Sequence, residues 1–221
     1  VGSEMCIRDR NSYTQLRQPI AQIFSIFSFI CIIFSFFGED YKEVLNTYPN
    51  YLLVSTFIEV LFVVVPFIGL LFKPSYNNIN IWIIYFIITV IDTYLILFSF
   101  FNLYFLIGIH LNRDLFLYWI IGIISMLTSF LLDTIANIIL MNVKSLKHHL
   151  IGLLFRLLGA FIYIIYIIYI ILYFIVPHDI YNRNTFIELI FLTIGVHIIV
   201  VYLFIMYGDY TYSLKKGEVP E

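Results

Sequence analysis

Residues 116–141 read FLYWIIGIISMLTSFLLDTIANIILM, and Asp133 is the one charged side chain among them. A helix needs about 20 consecutive apolar residues to cross the ~30 Å hydrocarbon layer of a bilayer, and this run is longer than that. Backbone N–H and C=O groups cannot stay unpaired in lipid, and the run lacks the alternation of apolar and polar residues that a membrane barrel strand requires. The stretch therefore predicts a transmembrane helix.

Five further runs of the same kind flank this one. Together the predicted spans are 20–37, 51–72, 79–101, 116–141, 149–176 and 185–207. Apolar residues make up 62% of the chain and charged residues only 12%, so these helices have no polar faces to present to water. We therefore predict an all-α, polytopic membrane helical bundle of about six transmembrane helices, in which residues 11–221 form a single domain.

The first ten residues, VGSEMCIRDR, need separate treatment. Their back-translation allows GTG GGC TCG GAG ATG TGT ATA AGA GAC AG, which resembles a transposase adapter used in sequencing libraries. We interpret residues 1–10 as a translated adapter and expect the native chain to begin upstream. Excluding them leaves Cys31 as the only thiol, which predicts a small core or lipid-facing residue and no internal disulfide.

The basic residues outside the spans predict the orientation. With six spans, one side of the membrane carries Arg17, Lys73, Lys144, Lys147, Lys215 and Lys216. The other side carries Lys42, Arg113 and Arg183. Because basic residues near span ends resist translocation, we expect the first side to be cytoplasmic. Both visible ends of the chain would then face the cytoplasm.

One candidate ion pair lies between the fourth and fifth spans. At a rise of about 1.5 Å per residue, Asp133 lies roughly 13 Å and Arg156 roughly 12 Å from the cytoplasmic ends of these spans. Helices joined by a short loop are neighbours, so we predict that Asp133 and Arg156 pair. A fixed brace between the two helices is the first interpretation of this pair. A mobile gating pair or a substrate contact is the alternative.

Two buried acids form a second candidate site. Glu59 lies about 12 Å and Asp92 about 14 Å from the non-cytoplasmic ends of the second and third spans, so the sequence predicts equal depth. Two neighbouring carboxylates in a low dielectric cannot both carry a negative charge without compensation. Either one of them holds a proton, or the pair binds a cation. A proton or alkali-cation site is one interpretation. Protonated carboxyls that hydrogen-bond neighbouring helices as packing contacts are the other.

The remaining ionisable residues of the spans have structural interpretations. Glu188 lies one turn inside the sixth span, where the helix dipole favours an acid. His197 lies near mid-membrane, and we expect a neutral, hydrogen-bonded core residue there. His148 and His149 lack the acid or cysteine companions of a metal site, so we expect neither a metal nor a cofactor.

No enzyme motif accompanies these residues. The chain has no clustered histidines, paired aspartates at fixed spacing or HExxH sequence. We therefore expect a non-enzymatic membrane protein of structural, trafficking or regulatory type. A small proton- or cation-linked transporter or channel subunit that uses Glu59 and Asp92 is the alternative. The expected partner is the lipid bilayer, a homo-oligomer is compatible with the sequence, and the net charge of −2 does not suggest nucleic acid.

Overall fold

A computed structural model of the chain describes residues 20–37, 48–69, 75–105, 114–142, 146–171 and 180–216. Across these ranges the regular elements are α-helices, and no strand occurs in them. The helices are α1 (Ile20–Phe37), α2 (Asn50–Gly69), α3 (Ile79–Phe105), α4 (Phe116–Asn142), α5 (Leu146–Ile170) and α6 (Ile180–Lys216). The predicted all-α bundle is confirmed.

The outer surface of these helices is apolar. Five of them, α2 to α6, are long and apolar enough to cross a membrane, while α1 is a shorter apolar helix. Phe57, Leu117 and Phe191 each expose between 64 and 70% of their surface. Side chains of this size would be buried in a water-soluble protein. The arrangement therefore fits a helical membrane bundle.

Several helix ends differ from the predicted span ends. α3 continues past residue 101 to Phe105, and α6 runs from Ile180 to Lys216, well beyond the predicted 185–207. The added part of α6 has tertiary contacts, because the fully buried Tyr210 donates a hydrogen bond to the Tyr76 carbonyl at 2.7 Å. A span predicted from hydropathy ends where polar residues begin. The helix itself can continue beyond that point when its side chains make tertiary contacts.

Some predictions fall on residues that the structure does not describe. Residues 1–10, 70–72 and 172–176 lie outside the described ranges. The same holds for most of the basic loop residues that predict the orientation, namely Arg17, Lys42, Lys73, Arg113 and Lys144. The orientation therefore stays a prediction.

The helices form two groups of three. α1, α2 and α3 contact one another, as do α4, α5 and α6. α3 also packs along α6, and this contact joins the two groups. Aromatic side chains meet at the junction, where the Phe86 ring of α3 lies 4.8 Å from the Phe204 ring and 4.6 Å from the Tyr207 ring of α6.

The closest packing within the second group is between α4 and α5, and it depends on Gly159. A Cβ atom at this position would lie 3.0 Å from the Ser129 carbonyl oxygen and 3.2 Å from the Leu132 Cβ. Small residues let transmembrane helices approach in this way, since lipid chains leave little hydrophobic gain from helix contact itself.

We expect Gly159→Val to force α5 away from α4 and to lower the free energy of unfolding by about 1–3 kcal/mol, as overpacking does. Denaturation of the purified protein in detergent measures this. Gly195→Val is the matched control, because a Cβ at Gly195 of α6 would meet no atom within 4 Å. Equal losses in the two variants would contradict a close-packing role for Gly159.

Candidate functional site

The structure brings Asp133 and Arg156 together. Asp133 is fully buried on α4, and its Oδ1 lies 3.4 Å from the Arg156 Nε on α5. These two atoms lack hydrogen-bond geometry. The guanidinium instead donates a hydrogen bond through Nη2 to the Oδ1 of Asn137, one turn along α4. The pair is thus an ion contact supported by a neighbouring hydrogen bond.

Asp133 has two further partners that the sequence analysis missed. Its Oδ2 accepts a hydrogen bond from the Tyr94 hydroxyl of α3 at 2.9 Å and lies 3.1 Å from the His197 Nδ1 of α6. The His197 Nε2 lies 3.1 Å from the Ser129 Oγ. We call Tyr94, Ser129, Asp133, Arg156 and His197 the Asp133 network. It joins four helices, α3 to α6.

The bonding in this network fits a structural brace. Both ring nitrogens of His197 have partners, since Nδ1 lies beside the Asp133 carboxylate and Nε2 beside the Ser129 hydroxyl. The Arg156 guanidinium supplies a full positive charge opposite Asp133. Polar contacts that link several buried side chains rigidify the elements they connect.

Glu59 has partners of its own, and Asp92 is not one of them. The buried Glu59 of α2 accepts a hydrogen bond from the Asn102 Nδ2 of α3. The same nitrogen contacts the Ser55 Oγ at 2.9 Å, and the Trp119 Nε1 of α4 donates to the Asn102 Oδ1 at 2.8 Å. Glu59 therefore lies in a hydrogen-bonded helix contact, which is the packing interpretation.

Asp92 differs from the other acids of the bundle. It lies at the centre of α3, 13 residues from either end, and its side chain is buried. Neither of its carboxylate oxygens has a hydrogen-bond partner among the described residues. Asn102, the partner of Glu59, is ten residues away along α3, or about 15 Å. The structure thus gives the two acids different surroundings and does not bring them together at one depth.

Contacts on either side of Asp92 show which helices it faces. Leu95, one turn along α3, packs with Val63 of α2 and Ile32 of α1. Since α2 and α3 are antiparallel, one turn from this contact towards the start of α3 places Asp92 level with Pro66 of α2. Asp92 therefore faces the α1–α2 side of α3.

The part of α1 at this level is polar. The Gln22 Nε2 donates a hydrogen bond to the Pro66 carbonyl at 3.0 Å, which places the first turns of α1 level with Pro66. Ser25 and Ser28 follow on the same face of α1, and both are fully buried. Neither hydroxyl has a hydrogen-bond partner within the described ranges.

A large cavity lies between α2, α3 and α4. It has a volume of about 950 Å³ and is lined by apolar and aromatic side chains of α2, α3 and α4, including Tyr94, Leu95 and Trp119. Neither Glu59 nor Asp92 lines it. In the parts of the chain that the structure describes, no group of three or more His, Cys, Asp or Glu side chains is arranged to hold a metal ion.

The fold and these buried contacts define a helical membrane protein with charged residues inside its bundle. The chain belongs to the family described as "Domain of unknown function (DUF5079)", which matches residues 10–218. No curated protein and no solved structure matches the chain.

We expect Asp133→Asn to leave Arg156 without a counterion and to cost about 3 kcal/mol of folding free energy. Arg156→Gln should have a comparable cost, because it leaves the Asp133 carboxylate without its counterion. The double variant should lose less free energy of unfolding than the two single variants lose together, because neither charge is then left without its partner. Denaturation of all four proteins in one detergent gives the coupling energy.

Asp209→Asn is the matched control for this cycle, since Asp209 is an exposed acid on α6. It should change the free energy of unfolding by no more than about 0.5 kcal/mol. Strictly additive losses at Asp133 and Arg156 would contradict an energetic pair.

Proposed function

We propose that this protein is a non-enzymatic, six-span membrane protein that works as a small proton- or cation-linked transporter or channel subunit. The observation that carries the proposal is the Asp92 carboxyl group, which is buried at the centre of α3 without a hydrogen-bond partner in the described part of the chain. The proposed ion site therefore contains Asp92 without Glu59, whereas the sequence analysis expected both acids.

The energetic cost of Asp92 favours a functional role. A charge at the centre of a transmembrane helix costs at least about 2.5–3.5 kcal/mol, and a buried polar group without a partner costs about 1–3 kcal/mol. Glu59 and Asp133 offset such costs with bonds to neighbouring helices. Packing gives Asp92 no comparable gain, whereas a bound proton or cation would neutralise its charge.

The structural role that the sequence first suggested fits other residues better. The Asp133 network and the Glu59–Asn102 contact each connect helices through hydrogen bonds, as a scaffold protein would require. These contacts explain how the bundle holds together. They leave Asp92 without an explanation, so we prefer an ion-linked function.

The proposed topology places the end of α6 in the cytoplasm. In a chain with Cys6→Ser and Cys31→Ser, a cysteine introduced by Lys216→Cys should react with a membrane-impermeant maleimide only after the cells are opened. The matched substitution Glu39→Cys, in the predicted opposite loop, should react in intact cells. Labelling of Lys216→Cys in intact cells would contradict the proposed orientation.

Ion flux into proteoliposomes tests the proposed function. We expect the wild type to move protons or an alkali cation, followed with a trapped pH dye and with isotopic Na⁺ and K⁺. Asp92→Asn should lower this flux by roughly tenfold or more, since an ion contact worth about 1.4 kcal/mol corresponds to tenfold in affinity.

Glu59→Gln is the matched control, because a glutamine oxygen can still accept the Asn102 hydrogen bond. This variant should keep most of the flux. Equal flux through wild type and Asp92→Asn would remove Asp92 from the mechanism, and a wild type that moves none of these ions would contradict the transport function.

A further inference from the structure

We infer that Asp92 of α3 and the two serines of α1, Ser25 and Ser28, form a binding site for a monovalent alkali cation, for which Na⁺ is the probe. The inference rests on the proposed function and names the class of ion. It also adds α1, which the sequence analysis did not connect with Asp92.

The two serines behave differently from most other hydroxyl residues of the bundle. A hydroxyl in a helix commonly donates to the backbone carbonyl three or four residues earlier. Hydrogen bonds of this kind, between 2.6 and 2.9 Å long, are made by Ser55, Thr56, Thr89, Thr93, Ser125, Thr128 and Thr193. Ser25 and Ser28 make none, although both are 0% exposed.

Two other serine and threonine hydroxyls without a hydrogen bond, and the Tyr163 hydroxyl of α5, have different surroundings. Ser99 lies on α3 near the Glu59 carboxyl, and Thr134 is only half-buried on α4. Ser25 and Ser28 are thus the fully buried pair that shares one helix face. A buried hydroxyl without any hydrogen-bond partner has both of its lone pairs available to a cation.

The register of the three helices places both serines within about one helical turn of the level of Asp92. Ile32 of α1 packs with Leu95 of α3, and Ser28 lies four residues before Ile32 as Asp92 lies three before Leu95. Gln22 bonds to the Pro66 carbonyl, Pro66 lies level with Asp92, and Ser25 is three residues beyond Gln22. Ser25 therefore lies within about one helical turn, 5.4 Å, of the level of Asp92. Proline has no N–H to donate to the carbonyl of Phe62, so Pro66 adds a backbone oxygen to this region. Unwound or broken helices provide cation ligands in this way in transporters.

The charge of the site favours a monovalent ion. Arg156 is paired with Asp133 and does not serve Asp92, so one carboxylate and several neutral oxygens balance one positive charge. A divalent cation would leave a net charge in the hydrocarbon layer, which is costly. A proton would neutralise Asp92 but would leave both serine hydroxyls without a partner.

The test is the effect of Na⁺ on the melting temperature of the full chain purified in detergent. NaCl is exchanged for choline chloride at constant ionic strength, and isotopic Na⁺ binding is measured in parallel. We expect Na⁺ to raise the melting temperature of the wild type, because a ligand that binds only the folded state stabilises it. Asp92→Asn should abolish the shift.

Ser25→Ala and Ser28→Ala should each weaken Na⁺ binding by at least about tenfold, since losing even an outer-shell partner of a metal ligand has an effect of that size. Ser125→Ala is the matched control, because Ser125 bonds to the Ile121 carbonyl; this variant should bind Na⁺ as the wild type does. If Asp92→Asn fails to fold, the two serine variants decide the question.

Three results would overturn the cation site. The first is a wild type whose melting temperature does not change with Na⁺. The second is serine variants that bind Na⁺ as the wild type does. The third is an ion flux that depends on Asp92 and carries protons but no alkali cation. The last result would keep the proposed function. Na⁺ binding that depends on Ser25 and Ser28 in a protein without ion flux would support the site and contradict the transport function.

Discussion

In hydrocarbon a charged side chain is stable only when another group neutralises it, because water is not present to do so. Asp133 meets this requirement through Arg156, and its second oxygen bonds to Tyr94 while lying beside His197. One buried carboxylate therefore joins α3, α4, α5 and α6. Since α1 and α2 also contact α3, α3 links the two groups of three helices.

Apolar contact alone would hold this bundle together weakly. Lipid tails are as apolar as the side chains of the helices, so association depends on close packing and on polar contacts. Gly159 supplies close packing between α4 and α5. Asn102 supplies polar contacts, because its amide bonds to Glu59 and Ser55 of α2 and to Trp119 of α4. Close packing and polar contacts thus act at different interfaces of the bundle.

The sequence predicts some of these contacts and misses others for a physical reason. The lengths of the apolar runs predicted the helices. The short loop between α4 and α5 predicted that these helices are adjacent and that Asp133 and Arg156 pair. No such rule connects α3 with α6, so the roles of Tyr94 and His197 could not be predicted, although both lie near mid-span. Asn102 was missed because hydropathy ended the third span at residue 101, while the helix continues to Phe105.

Two residues of α3, Asp92 and Tyr94, face different parts of the bundle. Tyr94 belongs to the Asp133 network, and Asp92 belongs to the proposed ion site. Positions two apart on a helix lie on nearly opposite sides, so Tyr94 faces the Asp133 network while Asp92 faces α1. Movement of α3 against α4 to α6 would break the Tyr94 hydrogen bond to Asp133. Movement of α1 against α3 breaks no bond made by Asp92, Ser25 or Ser28, since none of them has a hydrogen-bond partner in the described ranges. A cation bound there would therefore add a polar attachment between α1 and α3, and α1 is the helix whose position it would control.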